Sequence, residues 1–178
     1  MKKNTFCRLL FLLLVLFTGS CKKNADKDDS SYVKIKMNGD WVTLAGLGEL
    51  GPDLGDASLT DLGVNGYSED GKNTFSISLQ VSGPNFNPGT YSSDKYPEYY
   101  MIVDYSENPD INTIRWYEIE DASNQPPSKY TVNITSITPT QIKGNFTGNY
   151  LYDNSLSTDP DGGIVYITEG EFQVKRVR

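Results

Sequence analysis

The chain has 178 residues, enough for one domain with its own buried core plus a terminal segment. It contains no histidine, and its two cysteines, Cys7 and Cys21, both lie near the N-terminus. That excludes Ser-His-Asp and Cys-His catalysis, histidine-ligated zinc and a histidine pH switch.

The first stretch reads as an address. Lys2, Lys3 and Arg8 form a basic region without acids, and residues 9–17 (LLFLLLVLF) are an unbroken apolar run. Thr18, Gly19 and Ser20 are small residues placed directly before Cys21. This order predicts a secretory signal peptide over residues 1–20; the run is too short for a transmembrane helix, which needs about 20 residues. The small residues ending at Cys21 resemble the lipobox of bacterial lipoproteins, with Thr18 where that family prefers Leu. The resemblance implies acylation of Cys21, and several acyl chains on one residue give stable membrane attachment. The leader holds three of the 16 basic residues and none of the 23 acids, so the remainder carries a formal charge of −10. An acidic surface disfavours nucleic acid and anionic headgroups. Residues 21–31 are charged and polar and predict a flexible tether. Asp28-Asp29 after Lys27 is similar to the acidic surface-export signal of Bacteroidota lipoproteins, with a plain linker as the other reading. The expected location is the bacterial outer membrane, lipid-anchored, with the periplasmic and the external face both open.

Residues 32–178 form a single predicted domain. Residues 32–37 (YVKIKM) alternate, with Val33, Ile35 and Met37 on one face. Asn38-Gly39 is a hairpin-turn signal, and residues 41–44 pair back. Residues 46–57, rich in Gly and acids, predict a loop. Residues 59–67 predict a strand weakened by Gly63 and Gly66, and residues 69–72 a turn. The cleanest strand is 74–82, with Phe75, Ile77, Leu79 and Val81 inward. Residues 83–97 predict a loop with a short extended piece at 89–91, since Pro84 and Pro88 forbid a central strand. Strands follow at 99–105 and 113–118, joined through residues 107–110. After a polar connection at 122–129 come alternating strands at 130–137 and 141–152. Gly144 and Gly148, on the inward face of the second, suggest bending or close backbone approach. A loop at 154–163 precedes final strands at 164–168 and 172–177.

No helical periodicity appears outside the leader. Many short alternating strands between turn signals predict an all-β fold, an antiparallel β-sandwich or barrel-like meander of roughly eight to ten strands.

Certain motifs recur in order: Asn38-Gly39-Asp40-Trp41, Gly89-Thr90-Tyr91, residues 130–135 (YTVNIT), residues 142–148 (IKGNFTG) and residues 167–174 (ITEGEFQV). Their order and spacing are similar to a family of uncharacterised Bacteroidota lipoproteins, although Glu169 replaces a common Asn and Lys143 precedes the glycine. The resemblance covers nearly all of the domain. It implies an all-β fold and an envelope location, and it carries over no activity, cofactor or catalytic residue.

Candidate chemistry is sparse. Tyr91, Tyr96, Tyr99, Tyr100, Tyr105, Trp116 and Tyr117 crowd two neighbouring segments. A sugar-stacking platform would use Tyr96, Tyr99, Tyr100 and Trp116, with Glu98, Asp104 or Arg115 binding hydroxyls. Alternation divides the group, so about half must fill core, and Trp116 reads as core because Ile114 shares its face. The acids at 159–161 before Gly162 lack the ligand pattern of an EF-hand loop, and the acids of the 46–57 loop read as solvated turn. A glycosidase would need two carboxylates across a cleft, the weakest of these readings. The sequence therefore predicts no cofactor, no metal and no catalysis. It predicts a lipid-anchored binding or scaffold module whose partner is a glycan or an envelope protein, with capture of a glycan as nutrient the alternative to a plain scaffold.

Overall fold

The computed structural model describes residues 30–53, 55–56, 58–96, 98–110, 113–119, 128–153 and 163–177. The signal peptide, Cys21, the tether to residue 29, most of the 122–129 connection and the 159–162 acids lie outside them.

Among the described residues the fold is all-β. Twelve strands form one sheet in the order β11-β10-β7-β6-β4-β3-β2-β1-β12-β9-β8-β5. They are β1 (Tyr32–Met37), β2 (Asp40–Pro52), β3 (Leu59–Tyr67), β4 (Asn73–Ser82), β5 (Gly89–Ser92), β6 (Tyr99–Asp110), β7 (Thr113–Glu118), β8 (Thr131–Ile137), β9 (Gln141–Thr147), β10 (Leu151–Asp153), β11 (Ile164–Val165) and β12 (Ile167–Arg176). Twelve strands exceed the expected number, in part because the segment expected as one strand at 141–152 divides into β9 and β10 where the chain bends. Pairing is antiparallel throughout, apart from a two-residue parallel contact of Lys175 and Arg176 with Leu47 and Gly48. That contact lies beyond Tyr32, the first residue of β1, where its two neighbours meet directly.

The sheet curls on itself. Phe75 on β4 and Phe146 on β9 are five places apart in the strand order, yet their rings stack at 5.2 Å. The side chains that alternate inward fill the space between the two halves. Val33, Ile35, Leu62, Val64, Phe75, Ile77, Leu79, Val103, Val132 and Ile142 are fully buried. Tyr130 is also fully buried and donates its hydroxyl to the Ile167 carbonyl at 2.8 Å.

Two devices produce the curl. First, β2 serves both halves: residues 40–45 pair with β1, and residues 45–52 pair with β3. This corrects the loop expected at residues 46–57. Gly46 and Gly48 are inward positions where a Cβ would stand 2.7 Å and 2.6 Å from Val174, so these glycines permit a close strand crossing. Second, β9–β10 and β11–β12 form one long hairpin whose register holds from Lys175↔Gln141 to Tyr152↔Ile164. It bends where residues 148–150 lie opposite 166–168. β12 is continuous through Glu169–Glu171, which the sequence left between two strands. Likewise β6 runs on through residues 107–110, with an irregularity before Asp110 pairs with Thr113. At the first hairpin Asn38 and Gly39 have φ of 51° and 94°, as a two-residue I′ turn requires.

Candidate functional site

Alternation leaves one side of each strand facing solvent, and pairing aligns these sides into rows. One row runs Leu47, Asn65, Ser76, Asp104, Glu118, Tyr152 and Ile164 across seven strands. The next runs Glu49, Gly63, Ser78 and Ile102, and a third runs Gly51, Asp61, Gln80 and Tyr100. On β3 and β4 this face is made of short side chains, Gly63, Asn65, Ser76 and Ser78, so its floor is low beside the aromatics of β6 and β7.

Tyr100 and Trp116 both lie on this outer face, each 43% exposed. Tyr96, 74% exposed, meets Tyr100 edge to face at 6.3 Å between ring centroids. The sequence reading of Trp116 as core is thereby corrected: the buried neighbour is Tyr117, and the indole N–H donates to Glu118 Oε1 at 2.7 Å. Tyr99 goes the other way. It faces inward with Met101 and Val103, packs edge to face on Tyr91 at 5.2 Å and accepts a hydrogen bond from the Ser92 N–H. The structure thus brings together Tyr96 and Tyr100, places Trp116 further along the same face, and removes Tyr99 from it.

Of the proposed polar partners, Asp104 is on the face. Arg115 is on the opposite side of β7, 3.6 Å from Glu107, and Tyr117 donates to that same carboxylate at 3.2 Å. Glu98 sits in the turn before β6, its N–H bonded to the Lys95 carbonyl at 2.8 Å.

Apart from Asp104 and Tyr100, sequence reasoning missed the residues that give the face its chemistry. Gln80 donates its amide to Asp53 Oδ2 and Asp61 Oδ1, each at 3.0 Å. Asp53 Oδ1 accepts the Gly55 and Asp56 N–H groups, and these bonds, that to Asp56 foremost, hold its carboxyl below the usual range. Asp53, Asp61, Ser78, Gln80, Tyr100 and Ile102 line a cleft of about 260 Å³. A smaller one of about 100 Å³ adjoins Tyr100, Ile102 and Glu118. Asp104 accepts from Ser76 Oγ at 3.1 Å and stands opposite Glu118. Burial pushes its carboxyl up to about 6, with the Glu118 charge adding to the rise and the Ser76 bond opposing it. Apart from Asp53, which follows β2, each of these residues is an ordinary strand position when its own segment is read alone. Only the pairing of β3 with β4, β6 and β7 collects them.

The other half of the sheet carries a different outer surface. Lys34 Nζ lies 4.7 Å from the centre of the Trp41 ring and Lys36 Nζ 6.0 Å from it. The same lysines pair with Glu171 at 3.8 Å and Glu169 at 2.8 Å. Trp41 is therefore already engaged by cations. Among the described residues no group of three potential metal ligands occurs.

No protein-family model, curated protein or solved structure matches this chain.

Proposed function

We propose that the protein is a lipid-anchored binding module of the bacterial cell envelope that holds a glycan on the outer face of β3, β4, β6 and β7 and catalyses no reaction. The observation that carries this reading is the exposure of Tyr100 and Trp116 on one face, with a floor of Ser76, Ser78 and Gly63 beside them. Aromatic rings give sugars a flat apolar surface, and the fixed carboxylates and amide beside them accept or donate to hydroxyls. The signal peptide pattern ending at Cys21 supports the anchor.

Docking of a protein on the sheet edge is the weaker reading. The terminal strands of the described sheet, β5 and β11, have four and two residues, which offers little backbone for an added strand. Asp104 and Glu118 also stand where a hydrolase would want two carboxylates. Each is already engaged by a neighbouring donor, Ser76 or Trp116, which suits fixed acceptors better than a proton-transfer pair.

Tryptophan fluorescence in a Trp41→Phe background tests the reading. Trp116 should emit as a solvated indole and shift to the blue when a bound oligosaccharide covers it. Blue emission without ligand would mean that Trp116 is core and would remove the platform.

A further inference from the structure

We infer that the ligand of this face is an uncharged oligosaccharide, anchored by one ring in the cleft beside Tyr100, and that uronate-bearing or sulfated glycans are turned away. The inference rests on the glycan-binding reading above and specifies the class of glycan.

Charge decides it. Asp61, Asp104 and Glu118 occupy outward positions of β3, β6 and β7, and Asp53 borders the cleft. Among the described residues, no lysine or arginine occupies an outward position on β3, β4, β6 or β7. Lys72 stands in the turn before β4, Lys95 ends a 3-10 turn of helix before Tyr96, and Arg115 is on the other side of β7 beside Glu107. An anionic sugar laid on this face would meet these carboxylates without an outward lysine or arginine on the four described strands beside them, which penalises such a partner strongly.

The same carboxylates suit a neutral sugar. Asp53 and Asp61 are held by the Gln80 amide, Asp104 by the Ser76 hydroxyl and Glu118 by the Trp116 indole. These bonds fix the acids in direction. An ionised carboxylate oxygen has several acceptor sites, and hydroxyl hydrogens are the complementary donors. Size agrees with an oligomer. Tyr100 lies six residues along β6 from Ser106, the partner of Trp116, a distance of about 20 Å at ~3.4 Å per residue. That is the reach of a short chain of rings rather than of one sugar.

The experiment uses the full acylated chain in detergent and titrates three sets of oligosaccharides at low salt. The neutral set is mixed-linkage β-glucan, xylan and mannan oligomers; the anionic set is polygalacturonate, alginate and chondroitin sulfate oligomers; the cationic probe is chitosan hexamer. A neutral oligomer should bind, with every anionic one at least roughly tenfold weaker. The Asp61→Asn/Asp104→Asn variant, checked for its fold by circular dichroism, should narrow that ratio. Equal or tighter binding of an anionic oligomer, or preference for chitosan, would overturn the neutral class while leaving the face as a glycan site. A ratio unchanged in the double variant would overturn the role given to the carboxylates. Failure of all three sets to bind would overturn the glycan reading itself.

Discussion

Asp104 and Glu118 face each other across β6 and β7, an arrangement that costs stability when both are ionised. The fold answers by raising the Asp104 carboxyl to about 6, chiefly through burial. Its proton is therefore bound more tightly in the folded chain than in the unfolded one. The sign follows from linkage: stability from this group is full below the unfolded value of ~4 and is lost as pH rises through about 6. Asp104→Asn keeps an acceptor for Ser76 and removes the charge. It should leave stability nearly unchanged at low pH and raise it at pH 8, by on the order of 2 kcal/mol at ~1.4 kcal/mol per pH unit. Denaturant melts at several pH values check this, and a gap that does not widen with pH would refute it.

At the scale of elements, the inward alternation of β4 was legible from the sequence alone. Phe75, Ile77 and Leu79 are fully buried and Ser78 is exposed. Phe75→Ala should cost roughly 3–5 kcal/mol, as truncation of a core aromatic does, and Ser78→Ala should cost little. Equal urea midpoints for Phe75→Ala and wild type would contradict the packing. The second half of β2 and the middle of β12 were not legible, because their glycines have a loop-like composition. What those glycines do is set by chain distant in sequence. Gly144 is the register partner of Phe172, and a Cβ there would lie 2.4 Å from the Phe172 ring and 2.6 Å from the Asn133 carbonyl oxygen. Gly170 stands in the same relation to Phe146, at 2.4 Å. Glycine lets an aromatic from the neighbouring strand lie across the backbone. Gly144→Ala should therefore destabilise by roughly 1–3 kcal/mol through overpacking, measured as a fall in the urea midpoint. Stabilisation, the usual effect of replacing glycine at an unhindered strand position, would argue against the close approach.

Among the described residues the molecule has one outer surface where lysines pair with acids around Trp41 and another where acids, hydroxyls and aromatics stand on strands without lysine. Half of the second surface could be named from sequence. Tyr96, Tyr100 and Trp116 were conspicuous by type. Asp61, Ser76, Gln80 and Glu118 were not, since their convergence depends on which strands are neighbours. The face taken by Trp116 was misjudged because its partner Ser106 was unknown. The described chain begins at the seam between the two halves. Ser31 Oγ donates to the Gly46 carbonyl, and the Ser31 carbonyl accepts the Gly46 N–H at 3.0 Å. Cys21→Ser should abolish incorporation of labelled fatty acid and move the protein out of the membrane fraction; retained label or retained membrane binding would refute acylation at Cys21. The most direct test of the account compares wild type with the Tyr100→Ala/Trp116→Ala variant for binding of neutral β-glucan, xylan and mannan oligosaccharides, with melting temperature measured in parallel. A glycan platform on this face predicts at least roughly tenfold weaker binding with stability changed little, as expected of exposed positions. Unchanged affinity in a variant that folds as wild type would contradict it.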